Sequence, residues 1–138
     1  MEVPTSRRGS EAGFSLVELL VVIIIVGILA AVAIPLYLTH QAKSRDAATQ
    51  SDAMNLGILV RAAFDESETG VVVTGDGTAY YIDGERVLGA SPGVEFVQYT
   101  GGDIDNWCLE LRHPGGEKSS SPGVRFDAQN GYVEQATC

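Results

Sequence analysis

The chain has 138 residues, 45% of them apolar, and a formal net charge of −9, which leaves room for one small domain and a tail but not for two full domains. Residues 1–13 balance two bases (Arg7, Arg8) against two acids (Glu2, Glu11), so the negative charge lies beyond the apolar N-terminal stretch. An acidic surface favours solubility and excludes nucleic acid as the default partner.

The first 13 residues are polar. At Gly13-Phe14 the sequence turns apolar, and from Leu19 to Leu38 it carries no charged side chain. About 20 such residues make roughly 30 Å of helix, enough to cross a bilayer. Four readings of this segment compete. A secretory signal cut after Ala31-Val32-Ala33 fits the small-x-small rule, but its apolar region is long and has Glu18 near the start. A twin-arginine signal is prompted by Ser6-Arg7-Arg8, yet the apolar residues expected next are replaced by Gly9-Ser10-Glu11. An unprocessed membrane anchor is the third. The fourth gives Glu18 a purpose. A carboxylate in a membrane helix costs about 2.5–3.5 kcal/mol at mid-bilayer and less near the interface, so it needs a partner. Cleavage between Gly13 and Phe14 creates an amino group four residues upstream, one helical turn away on the same face. The acid then also sits at the positive end of the helix dipole, and it can pair with the new amine of a neighbouring subunit.

Gly13 directly before Phe14-Ser15-Leu16-Val17-Glu18, after a short basic leader, resembles the type IV pilin and pseudopilin family. The resemblance covers about 30 residues. It implies cleavage by prepilin peptidase after Gly13, N-methylation of Phe14 by the same enzyme, and a filament contact from Glu18 to a neighbour's N-terminus. Gly27 and Pro35 match places where family helices loosen during assembly. The implied partners are other copies of the chain, a pilus assembly platform with its ATPase, and membrane lipid before assembly. The implied location is a single-pass membrane protein that becomes part of a cell-surface pilus.

Pro35 removes a backbone donor and crowds the Ala31 carbonyl, so it is expected to kink or open the helix. From Tyr37 to Phe64 there is one Gly and no Pro, and Ala53, Leu56, Leu59, Val60, Ala63 and Phe64 recur at helical spacing. Arg45, Asp46, Gln50 and Asp52 fill polar positions. One helix of about 50 residues follows, stopping in Asp65–Gly70. Beyond Gly70, strand signals appear at Val71–Val73 and Tyr80–Ile82 around Gly75-Asp76-Gly77. Further candidates are Val94–Tyr99 and Trp107–Arg112, separated by Gly101-Gly102. Val124–Asp127 and Tyr132–Gln135 flank Asn130-Gly131. They form a small antiparallel sheet, whose apolar face needs the Leu56–Phe64 stripe as cover. Residues 114–122 read as a mobile surface loop. The fold class is therefore α+β. Residues 1–13 form a leader, 14–38 a transmembrane and filament-core helix, 39–69 its amphipathic continuation, and 70–138 a sheet head.

Cys108 and Cys138 read as inert thiols in a cytosolic protein and as a disulfide in an exported one. A bridge closing about 30 residues contributes roughly 3–4 kcal/mol on the chain-entropy model. By resemblance it bounds a C-terminal surface loop of pilins, whereas major pseudopilins more often use calcium.

Gly89-Ala90-Ser91-Pro92-Gly93 matches the Gly-x-Ser-x-Gly pattern of hydrolases, but Pro92 and the strand that follows argue for a plain turn. The histidines, His40 and His113, offer no obvious base, and His113 reads as a surface or sheet-edge residue. Asp103-Ile104-Asp105-Asn106 offers oxygens to calcium without the glycine and glutamate of an EF-hand loop. Trp107, Tyr80 and Tyr81 read as core or subunit contacts. No catalytic residue, cofactor or metal site is expected. The leading reading is a non-enzymatic pilus subunit serving adhesion, motility or DNA uptake. The alternatives are a type II secretion or competence pseudopilin, and a conventionally secreted or anchored small-molecule or carbohydrate-binding domain.

Overall fold

The computed structural model describes residues 13–67 and 69–138. The expected leader (with Arg7-Arg8) and Glu68 of the expected helix stop fall outside the described residues, apart from Gly13. The chain divides into two compact units, one ending at Tyr37 and the other running from Leu38 to Cys138.

Helix α1 spans Leu16–Glu66, 51 residues, close to the predicted length. It runs on through Pro35. In the first unit all large apolar side chains from Phe14 onward are exposed. In the second unit α1 turns Ala53, Leu56, Val60 and Phe64 into the core, as the stripe predicts.

Two antiparallel sheets follow, not one. The first comprises β1 (Val73–Gly75), β2 (Ala79–Ile82) and β3 (Glu85–Gly89) in that order. The second comprises β4 (Glu95–Asp103), β5 (Asn106–Arg112), β6 (Val124–Asp127) and β7 (Gly131–Val133), also in chain order. Strand β3 is the element the sequence reading lacks. Its turn is Asp83-Gly84, with φ of 51° and 85°, the Asp-Gly signature of a two-residue hairpin.

The other strands lie near their predicted places with one shift. Gly101 and Gly102 do not end β4; they sit inside it, and the chain reverses at Ile104-Asp105. A Cβ at Gly101 would lie 2.6 Å from Tyr99 Oη and 2.7 Å from Trp107 Cβ, so the glycine serves close packing on a bulged strand.

Alternate residues of β5 (Trp107, Leu109, Leu111) point into the core with Tyr80, Val94 and Val124. Trp107 stacks against Phe64 and Phe126, with ring centroids 6.4 and 5.8 Å away. The aromatic is core, as expected. Gly57 lets α1 approach the ring of Phe126, which a Cβ there would meet at 2.5 Å.

Two helix acids expected to face solvent turn inward. Asp52 is buried and accepts hydrogen bonds from Tyr80 Oη (2.8 Å), Ser91 N (2.8 Å) and Ser91 Oγ (2.7 Å). Burial, and then the Asp52 carboxylate, push the Tyr80 phenol above its usual range. Asp46 accepts from the backbone N–H groups of Glu117, Lys118 and Ser119 and from Ser119 Oγ. Arg45 donates to the Gly115 carbonyl at 3.2 Å. The 114–122 segment, read as a mobile loop, is instead clasped to α1, and Ser119 is fully buried.

Candidate functional site

The candidate site is the start of α1. Ser15 caps the helix: Glu18 N donates to Ser15 Oγ at 3.2 Å, and Ser15 N donates to Glu18 Oε2 at 2.7 Å. This reciprocal pair is a capping box, Ser-x-x-Glu. The spacing was readable in Ser15-Leu16-Val17-Glu18 and was missed, so Glu18 has a local task besides any pairing between copies.

Gly13 and Phe14 precede the first helical turn. Phe14 is 85% exposed. A Cβ at Gly13 would meet nothing within 4 Å, and the same holds at Gly27. Packing within the described chain therefore asks for glycine at neither place, and a glycine inside a helix costs roughly 0.5–1 kcal/mol relative to alanine. Pro35 likewise gives up a helical hydrogen bond to Ala31.

Eighteen large apolar side chains from Phe14 to Leu38 are between 48% and 85% exposed. Burying a side chain of this kind is worth about 1.5–3 kcal/mol, so together they represent tens of kcal/mol of unsatisfied apolar surface. Monomeric soluble proteins do not carry such a stripe. The length and composition of α1 suffice to cross a membrane.

At the other end of the chain, Cys108 and Cys138 form a disulfide with Cα atoms 5.8 Å apart, joining residues 30 apart in sequence. The terminal segment is further held by Cys138 N donating to Glu110 Oε2 (3.2 Å) and Arg125 Nη1 donating to the Thr137 carbonyl (3.2 Å). Buried Glu110 also accepts from Gln98 Nε2 at 2.7 Å.

The remaining candidates do not converge on a reactive centre. Ser91 Oγ donates to Asp52, which makes it a structural hydroxyl of the 89–93 turn. His113, expected at the surface or at a sheet edge, directly follows β5 and is buried, and its Nδ1 accepts from Gly115 N at 3.0 Å. Asp103 Oδ1 accepts from Asp105 N, closing the β4–β5 turn on itself. Among the described residues no group of three or more His, Cys, Asp or Glu side chains is arranged to hold a metal.

The described chain thus combines an exposed apolar amino-terminal helix, a glycine-aromatic step before it and an α+β head closed by a disulfide. Residues 8–34 match the model of the prokaryotic N-terminal methylation motif. The chain is similar to the fimbrial protein EcpB of Eikenella corrodens, 57% identical over 35 residues, 25% of this chain and 22% of that protein. It is also similar to the type IV major pilin protein PilA of Myxococcus xanthus (strain DK1622), 38% identical over 56 residues, 41% of this chain and 26% of that protein. The similarity thus spans about a quarter of either relative's length. No solved structure matches at comparable stringency. Together the motif match and the two relatives support a type IV pilin family. Those relatives are named as a fimbrial protein and a type IV major pilin protein, which is consistent with a non-enzyme.

Proposed function

We propose that this chain is a filament subunit, cut by prepilin peptidase between Gly13 and Phe14, methylated at Phe14, and assembled from the membrane into a pilus at the cell surface. The exposed apolar stripe from Phe14 to Leu38 carries the reading. Lipid covers it before assembly, and the helices of neighbouring copies cover it afterwards. Cleavage frees an amine at Phe14, and Glu18 of an incoming copy neutralises it, setting the axial stagger. Gly27, where a Cβ would meet nothing within 4 Å, and Pro35, which has no helical donor, loosen the helix as it leaves the bilayer. Platform and ATPase partners follow from the same reading. The disulfide favours a pilus over a secretion or competence filament.

Because Glu18 also caps its own helix, Glu18→Gln is the informative variant. Glutamine preserves a capping box and removes the charge. Normal cleavage after Gly13 with a marked loss of surface filaments is the expected result. Normal filament yield from Glu18→Gln would reduce Glu18 to a local cap and remove the charge-pairing mechanism.

A further inference from the structure

The C-terminal part of α1 borders an open groove of about 480 Å³ beside the β2–β3 hairpin. Its floor is apolar, from Leu59, Ala63 and Val87, all half-buried, and its rim is acidic, from Glu66, Asp83 and Glu85, all exposed. No lysine or arginine lines it. Among the described residues neither the Glu66 nor the Glu85 side chain has a hydrogen-bond or ion-pair partner. An occupant of this groove therefore brings an apolar side chain next to a cation.

The same helix presents that combination on another side. Ile58 is 63% exposed and Arg61, three residues on, is exposed and unpaired among the described residues. Three residues put both on one face. At about 100° per residue that face is roughly a third of a turn from the Leu59–Ala63–Glu66 face, so one copy cannot fill its own groove. The other lysine and arginine side chains of α1 fit less well. Lys43 has no large apolar side chain within one turn on its face, and Arg45 is engaged with Gly115.

We infer that the groove is a docking site for a second copy of this chain, which inserts Ile58 over Leu59, Ala63 and Val87 and sets Arg61 against Glu66 and Glu85. A patch and its complement on different sides of one helix make a heterologous contact, the kind that repeats along an open filament. The inference rests on the filament reading above and names the lateral contact between neighbouring heads. Asp65, one turn beyond Arg61, forms no ion pair with it among the described residues and leaves the guanidinium available.

The test uses the full chain in cells, with sheared surface filaments as the readout. Chains carrying Ile58→Cys and chains carrying Val87→Cys are expressed together and treated with a short bismaleimide, which leaves the native disulfide alone. A covalent dimer is expected only from the mixture. Arg61→Glu is expected to lower filament yield roughly fivefold or more, the equilibrium effect of about 1 kcal/mol at an exposed pair, and Glu85→Arg in the same chain to restore it. Filaments that form without the 58–87 cross-link, or an Arg61→Glu yield equal to wild type, overturn the contact and leave the pilin reading standing. Wild-type chains that reach the surface uncut and unpolymerised overturn the pilin reading, and the contact with it.

Discussion

Replacing Asp52 with alanine tests whether a helix acid organises the head. The carboxylate accepts from Tyr80 Oη, Ser91 N and Ser91 Oγ, all at 2.7–2.8 Å, and Tyr80 is almost wholly buried. Alanine strands a buried phenol and two donors of the 89–93 turn. A stranded buried donor costs about 1–3 kcal/mol. Since Ser91 is only half-buried and recovers some water, the total is about 2–4 kcal/mol. For a head of this size that lowers Tm by on the order of 10–25 °C. Urea unfolding of the full chain in detergent, followed by fluorescence of the single tryptophan, Trp107, measures it. In a Tyr80→Phe background the same substitution is expected to cost about 1–2 kcal/mol less, because the phenol is no longer there to strand. A cost below about 0.5 kcal/mol, or strict additivity of the two changes, refutes the reasoning.

Further outcomes follow from other parts of the structure. Burial opposes ionisation of Asp46, but the Ser119 hydroxyl and the amides of Lys118, Ser119 and Glu117 outweigh it and hold its carboxyl below 3.8. A lowered folded value means that its stabilisation is present above 3.8 and is lost as the pH falls through the lowered value. Hydrogen exchange at the amides of 117–119 is therefore expected to stay protected at pH 5 and to accelerate in strong acid, while Asp46→Ala exchanges rapidly at both. Cys108→Ser with Cys138→Ser is expected to cost ~3.5 kcal/mol by loop-closure entropy, read as a lower urea midpoint with unchanged cleavage after Gly13. Gly57→Ala drives a methyl group into the Phe126 ring and is expected to destabilise by about 1–3 kcal/mol, again by urea unfolding. Gly13→Val is expected to leave the head's unfolding unchanged, since nothing crowds that position, while abolishing cleavage; mass spectrometry of the N-terminus reports it.

What was legible in the sequence was what local pattern encodes. The uncharged run to Leu38, the Ala53–Phe64 stripe and the alternation in Trp107–Arg112 each determine a period and a face, and the elements stand there. The capping box and the Asp83-Gly84 turn were equally local; they were overlooked, not hidden. By contrast, the inward turn of Asp46 and Asp52 depends on partners such as Ser119 and Ser91, 73 and 39 residues away. No periodicity distinguishes an acid that faces water from one that clasps a distant turn. The pinned 114–122 segment was misread for that reason, its Pro, Gly and Ser content being the same in either state. The division into two sheets likewise depends on which strands meet, not on their composition. At the candidate site spacing alone singles out Gly13, Phe14 and Glu18, whereas the exposure of the whole stripe requires the fold.

The clasps at Asp46 and Asp52 govern how this molecule can be shortened. Any soluble fragment that begins beyond these residues discards the carboxylates on which two turns of the sheet region are hung, even where it keeps the Leu56–Phe64 part of the rib that closes its interior. A start near residue 40 sheds the greasy stripe and keeps the whole scaffold; a start near residue 55 yields a chain with donors pointing at nothing.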